Sequence, residues 1–134
     1  MPTVQELREG LATRLRTISG LRAASTQPDN PNPPMAIVNL DSITFDEAYN
    51  RGLDAYQFTI LVLAGRVAER TSQNRLEAYL NPSGTSSIKQ AIQGDRTLGG
   101  KAQTLRVTEV TSYGSISVGD VTYLAANLTV VVYA

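Results

Sequence analysis

A chain of 134 residues, 42% hydrophobic and 18% charged, has the size and composition of a single domain over 1–134, long enough to bury roughly 68% of its unfolded surface. Its twelve basic and twelve acidic residues cancel, so no overall field draws it to nucleic acid or anionic lipid. Cysteine and histidine are both absent, which removes disulfides, thiolate chemistry, zinc fingers and the usual general base at neutral pH.

The N-terminus has no basic segment followed by an apolar one, and no apolar run approaches the roughly 18 residues of a membrane span, so a soluble, unexported protein is expected. Thr3-Val4-Gln5-Glu6 has the spacing of a capping box at a helix start. Val4, Leu7, Leu11, Leu15 and Ile18 then recur every three or four residues as one apolar stripe, with Arg8, Arg14 and Arg16 on a solvated flank. Gly20 is the expected stop.

From Ser25 to Pro34 the pattern breaks, with prolines at Pro28, Pro31, Pro33 and Pro34 interleaved with Asp29, Asn30 and Asn32. Such a segment is stiff and extended. It reads either as a rigid docking arm on a neighbouring subunit or as a connector that protects the next strand. That strand, Met35–Leu40, is followed by the alternation of Ile43, Phe45, Glu47 and Tyr49, and Asn50-Arg51-Gly52 turns the chain into a long strand.

The long strand is the expected centre of the fold. Tyr56, Phe58, Ile60, Val62 and Ala64 share one face, and Ala55, Gln57, Thr59, Leu61 and Leu63 share the other. The period is two, and because the second half is apolar on both faces the strand should run deeper into the core as it proceeds. After Gly65 and Arg66, the spacing of Leu76, Tyr79 and Leu80 predicts a helix that Asn81 and Pro82 end. Ser83 can cap a second short helix carrying Ile88, Ala91 and Ile92, ended by Gly94. Leu105 and Val107 share a strand face but Val110 has the opposite parity, which predicts a bulge near Thr108 or Glu109. The last strand, Val121–Tyr133, sets Leu124, Ala126, Leu128, Val130 and Val132 on its core face. The whole predicts an α+β fold, a mostly antiparallel sheet with an N-terminal helix and two central helices against one face.

Motifs for chemistry fail on spacing. Gly94 to Ala102 is one residue too long for a phosphate-binding P-loop, and Ala102 stands where magnesium needs a hydroxyl. Ser83-Gly84-Thr85-Ser86-Ser87 has hydroxyls but no nucleophile elbow. Asp46 and Glu47 are strand neighbours pointing to opposite faces and cannot share one substrate, and no spacing resembles a calcium loop. No catalytic residue, metal ligand or cofactor site is expected. A small-molecule binding module would require a deep apolar pocket.

Charge is nevertheless uneven. Between Asp41 and Asp54 the acids are Asp41, Asp46, Glu47 and Asp54 against the base Arg51; between Arg66 and Arg75 the bases are Arg66, Arg70 and Arg75 against Glu69.

Taken together, Pro28-Asp29-Asn30-Pro31-Asn32-Pro33-Pro34, Arg70 through Leu80, Leu98-Gly99-Gly100-Lys101-Ala102-Gln103-Thr104-Leu105-Arg106-Val107 and Gly119-Asp120-Val121-Thr122-Tyr123-Leu124 resemble the tail terminator proteins of long-tailed phages with non-contractile tails. The likeness spans nearly the whole chain and rests on order and spacing, with no mechanistic motif in it. It implies a non-enzymatic virion subunit that forms a hexameric ring on the finished tail tube, stops its growth and supplies the head-joining surface. The implied partners are further copies of the chain, the major tail protein, a connector or stopper protein and the tape measure protein. DNA is implied only in passage through the pore, with no membrane involved, assembly is in the host cytoplasm, and the final place is the head-proximal end of the tail.

A ring requires two different patches to meet. The expected patches are the acidic hairpin, Asp46 and Glu47 with Arg51 at its turn, against Arg66 and Arg70 of the next copy. The same acids could instead face the pore, where negative charge repels DNA, or simply be solvated.

Overall fold

The computed structural model describes residues 3–18, 21–24, 35–45, 54–66, 70–100, 102–118 and 121–134. Helix α1 spans Val4–Leu15 and opens as its sequence predicts. Thr3 Oγ1 accepts from the Glu6 amide at 3.1 Å and the Thr3 amide donates to Glu6 Oε1 at 3.4 Å, a reciprocal cap. Its end differs from expectation. Arg16 is the C-cap, and Ile18, though buried, lies in the turn that follows; Gly20 is outside the described residues.

Among the described residues five strands form one sheet in the order β1-β2-β3-β5-β4, with β1 at Arg22–Ala24, β2 at Met35–Thr44, β3 at Ala55–Arg66, β4 at Thr104–Val118 and β5 at Val121–Tyr133. The apolar strand is the middle one, as its pattern requires. Two differences concern the first half of the sheet. β1 pairs parallel to β2, and its three residues are too few to show a period. Met35–Thr44 is a single strand rather than two, irregular between Leu40 and Ser42, so Asp41 is the extra residue of a bulge.

Helices α2 (Arg70–Leu80) and α3 (Ile88–Gln93) join α1 on one face. Leu7, Leu11 and Leu15 of α1, Leu76 and Tyr79 of α2, and Ile88 and Ile92 of α3 bury one core with Tyr56, Phe58, Ile60 and Val62 of β3 and Leu128, Val130 and Val132 of β5. The cap of α3 is Ser87, not Ser83. Ser87 Oγ accepts from the Gln90 amide at 3.1 Å and donates to the Asn81 carbonyl at 2.6 Å, tying the end of α2 to the start of α3. Gly94 closes α3 as predicted.

The helix-free face is mixed. Met35, Ile37, Leu63, Tyr123 and Ala125 make a second, smaller apolar cluster there, which is why the later half of β3 is apolar on both sides. The earlier half carries Gln57 and Thr59 on that face, and Thr59 Oγ1 donates to Asp41 Oδ2 at 2.6 Å.

β4 carries the predicted bulge, between Val107 and Glu109, and a second between Thr111 and Gly114. The first returns Val110 to the helix side, opposite Leu128; the second turns Ile116 to the helix-free side, opposite Tyr123.

Candidate functional site

The loop after α3 is closed on itself. Asp95 Oδ1 accepts from the Thr97 hydroxyl at 3.0 Å and amide at 3.3 Å, and Asp95 Oδ2 accepts from the Gly99 amide at 3.0 Å. The Thr97 hydroxyl above all, joined by the Gly99 and Thr97 amides and the charge of Arg14, holds the Asp95 carboxyl below its usual range against the opposing effect of desolvation. The amides that a P-loop would offer to phosphate are here taken by a carboxylate of the same loop. Leu98 adopts a φ of 50°, and its side chain is buried beside Gly10.

Burial raises the Tyr56 and Tyr79 phenols above their ordinary value, with Asp54 adding to the first and Arg75 opposing the second. Both are core side chains. Among the described residues no group of three His, Cys, Asp or Glu side chains could hold a metal ion, and no helix is long and apolar enough to cross a membrane.

Two grooves of about 280 Å³ flank α3. The one toward α1 is a structural seam closed by hydrogen bonds: Arg14 Nε donates to the Ala91 carbonyl at 2.9 Å, and the Gly84 amide donates to Gln90 Oε1 at 2.9 Å. Arg14, expected on a solvated flank, is thus an interhelix tie. The other groove differs. Lys89 and Gln93 of α3, Arg96 of the following turn, and Arg106, Val107 and Thr108 of β4 line it. Ile88 and Ile92 turn into the core, which leaves Lys89 and Gln93, four residues apart, on the outward stripe. Lys89, Arg96 and Arg106 bring their positive charge to this groove, and Gln93 Oε1 is shielded from solvent without a hydrogen-bond partner.

This basic cleft lies on an open edge of the sheet. Among the described residues no strand lies beyond β4. On the other side β1 pairs with β2 at Met35, Ala36 and Ile37, so among the described residues Val38–Thr44 is a second open edge. The described large hydrophobics left exposed are Leu40 (36%) and Phe45 (69%) at the β2 edge, and Val110 (42%) and Tyr113 (48%) on β4. Each open edge has two.

Of the expected interface residues, Arg66 ends β3 and Arg70 begins α2. Asp46, Glu47 and Arg51 lie outside the described residues, as does the whole proline segment. β3 runs from the hairpin end at Ala55 to Arg66, a length of about 36 Å at the usual rise per strand residue. A contact between the hairpin of one copy and Arg66 or Arg70 of another therefore joins copies displaced along the strands. Lys89, Arg96 and Arg106 are not singled out by sequence, because the loop between α3 and β4 separates them and only packing gathers them. The available signal was Arg106 itself, a charge set outward between Leu105 and Val107.

A scan against protein-family models finds no match to this chain, and a search of curated proteins finds no significant relative.

Proposed function

We propose that the chain is a structural virion subunit, a tail terminator that forms a hexameric ring on the completed tail tube, stops its growth and presents the surface to which the head is joined. The observation that carries this reading is a sheet with two open edges of unlike chemistry, Asp41 at one and the Lys89, Arg96 and Arg106 cleft at the other. Unlike, complementary patches are what head-to-tail rings need. The resemblance of the proline segment, the α2 sequence and the two β4–β5 stretches to phage tail terminators supplies the biological setting. Its partners are then further copies of the chain, the major tail protein and a connector or stopper protein, with the tape measure protein and passing DNA inside the tube.

The test is electron microscopy of lysates from a phage with a stop codon at Glu6. Overlong tail tubes beside filled, tailless heads are expected. Tubes of normal length that fail to attach to heads would assign the protein to the head-to-tail connectors or stoppers instead, and normal infectious particles would refute both.

A further inference from the structure

The pairing registers trace complete rows across the sheet. Ser42 lies opposite Gln57, Gln57 opposite Val131, and Val131 opposite Arg106; in the next row Leu40, Phe58, Val130 and Val107 follow one another. The bulged Asp41 falls between these rows. The acid of the β2 edge and Arg106 of the β4 edge thus stand at the same height on opposite sides of the molecule. Strand direction agrees with this. From β2 through β3 and β5 to β4 every neighbour is antiparallel, so β4 runs opposite to β2. A second copy in the same orientation, set beside the first without a shift along the strands, places its β2 antiparallel to β4.

From these placements we infer that the open half of β2, Val38–Thr44, from one copy adds to the β4 edge of the next. Leu40 then faces Val107, and Asp41, held by Thr59 on the helix-free face, comes beside Arg106, which strand alternation between Leu105 and Val107 sets on that same face. This deepens the ring reading above and rests on it. The occupant is a second copy of this chain, for two reasons. Arg106 stands on the β4 edge with Lys89 and Arg96 nearby, whereas the facing edge carries Asp41 and continues in sequence through Phe45-Asp46-Glu47. The exposed apolar side chains fall on these two edges and gain cover when they meet. The bulges of β4 confine regular pairing to short stretches such as Thr104–Val107, which limits indiscriminate edge-to-edge association.

The test uses two variants of the full chain, Asp41→Lys and Arg106→Asp, each at an exposed position and each checked for native folding by circular dichroism. Either one alone sets like charges against each other at every contact. An equimolar mixture restores opposite charges at every contact, provided the two chains alternate. Native mass spectrometry and sedimentation should therefore show assembly of the unmodified chain, loss of assembly for each variant alone, and return of assembly in the mixture with even-numbered rings only. As a second measurement, Leu40→Cys/Val107→Cys in this cysteine-free chain should oxidise into covalent ladders, since facing strand positions lie within disulfide reach.

Rings that survive both single reversals, or a mixture that stays dissociated, would overturn the edge pairing while leaving the ring reading standing. An unmodified chain that remains monomeric, together with a Leu40→Cys/Val107→Cys chain that forms no ladder, would remove the second copy as the occupant. The lysate experiment decides separately whether the protein terminates tails.

Discussion

The tie between α1 and α3 permits a sharp energetic test. Arg14 Nε donates to the Ala91 carbonyl at 2.9 Å, in the last turn of α3, where carbonyls lack intrahelical partners and the helix dipole is negative. A hydrogen bond from a charged donor contributes about 1.5–3 kcal/mol. Both Arg14 and Ala91 are half-buried, so water replaces part of the contact and the lower end applies. Arg14→Met keeps most of the apolar stem and should lower unfolding free energy by about 1.5 kcal/mol. Gly94→Ala reaches the same contact from the other side. A Cβ there comes within 2.5 Å of Arg14 Nη2 and 3.2 Å of the Gln90 carbonyl oxygen, so the guanidinium must leave. Because φ at Gly94 is −64°, alanine meets no backbone strain, and without Arg14 it should stabilise by about 0.4–1 kcal/mol through the unfolded chain. Urea denaturation of the four members of the cycle should give a coupling of about 1.5 kcal/mol. An equal effect of Gly94→Ala in both backgrounds, within about 0.5 kcal/mol, would refute the tie.

Ser87→Ala removes a buried hydroxyl that both caps α3 and holds the Asn81 carbonyl, and should destabilise by about 1–3 kcal/mol in the same assay. Phe58 is fully buried at the centre of β3; Phe58→Ala should cost about 3–5 kcal/mol and lower the thermal midpoint accordingly. The carboxyl of Asp95 has a folded pKa below the ordinary value of an aspartate. Its contribution is therefore present above that value and is lost as pH falls through the folded pKa. The Thr97 and Gly99 amide resonances should hold steady down to the usual carboxylate range and shift together below it, and in Asp95→Asn that acid transition should vanish.

What could be read from sequence follows from where each periodicity begins and ends. The face of β3 was legible because Tyr56 to Ala64 keeps strict alternation, and the β4 bulge because Val110 breaks the parity of Leu105 and Val107; the pairing shift falls where that break requires. β1 has only Arg22, Ala23 and Ala24, which no periodicity can reveal, and its parallel pairing depends on tertiary placement. Ser83 and Ser87 are equal candidates as caps by residue type. Ser87 prevails because its hydroxyl also reaches the Asn81 carbonyl, a contact that exists only once α2 has packed. The basic cleft is the same kind of feature: Lys89, Arg96 and Arg106 converge through the packing of α3 on β4, while their sequence separation hides the relation.

Open edges are ordinarily a hazard, and β4 shows how the hazard can be directed rather than abolished. Its two irregularities interrupt the flat ladder that indiscriminate pairing needs. Identical edges would favour two-fold dimers, in which each patch meets itself. Here, in the proposed arrangement, Asp41 of one copy would meet Asp41 of another in a β2–β2 pairing, and the cations of the cleft would meet each other in a β4–β4 pairing. Both are disfavoured by charge, which leaves the β2–β4 contact as the one combination that places opposite signs together. A contact between unlike patches propagates from copy to copy, and it closes if the rotation per step divides a full turn. In this scheme charge selects the head-to-tail mode, while the strand twist and the β4 bulges set the angle between successive copies. Removing the charges and straightening β4 should therefore fail differently: the first loosens the ring, and the second frees its edges for open-ended association.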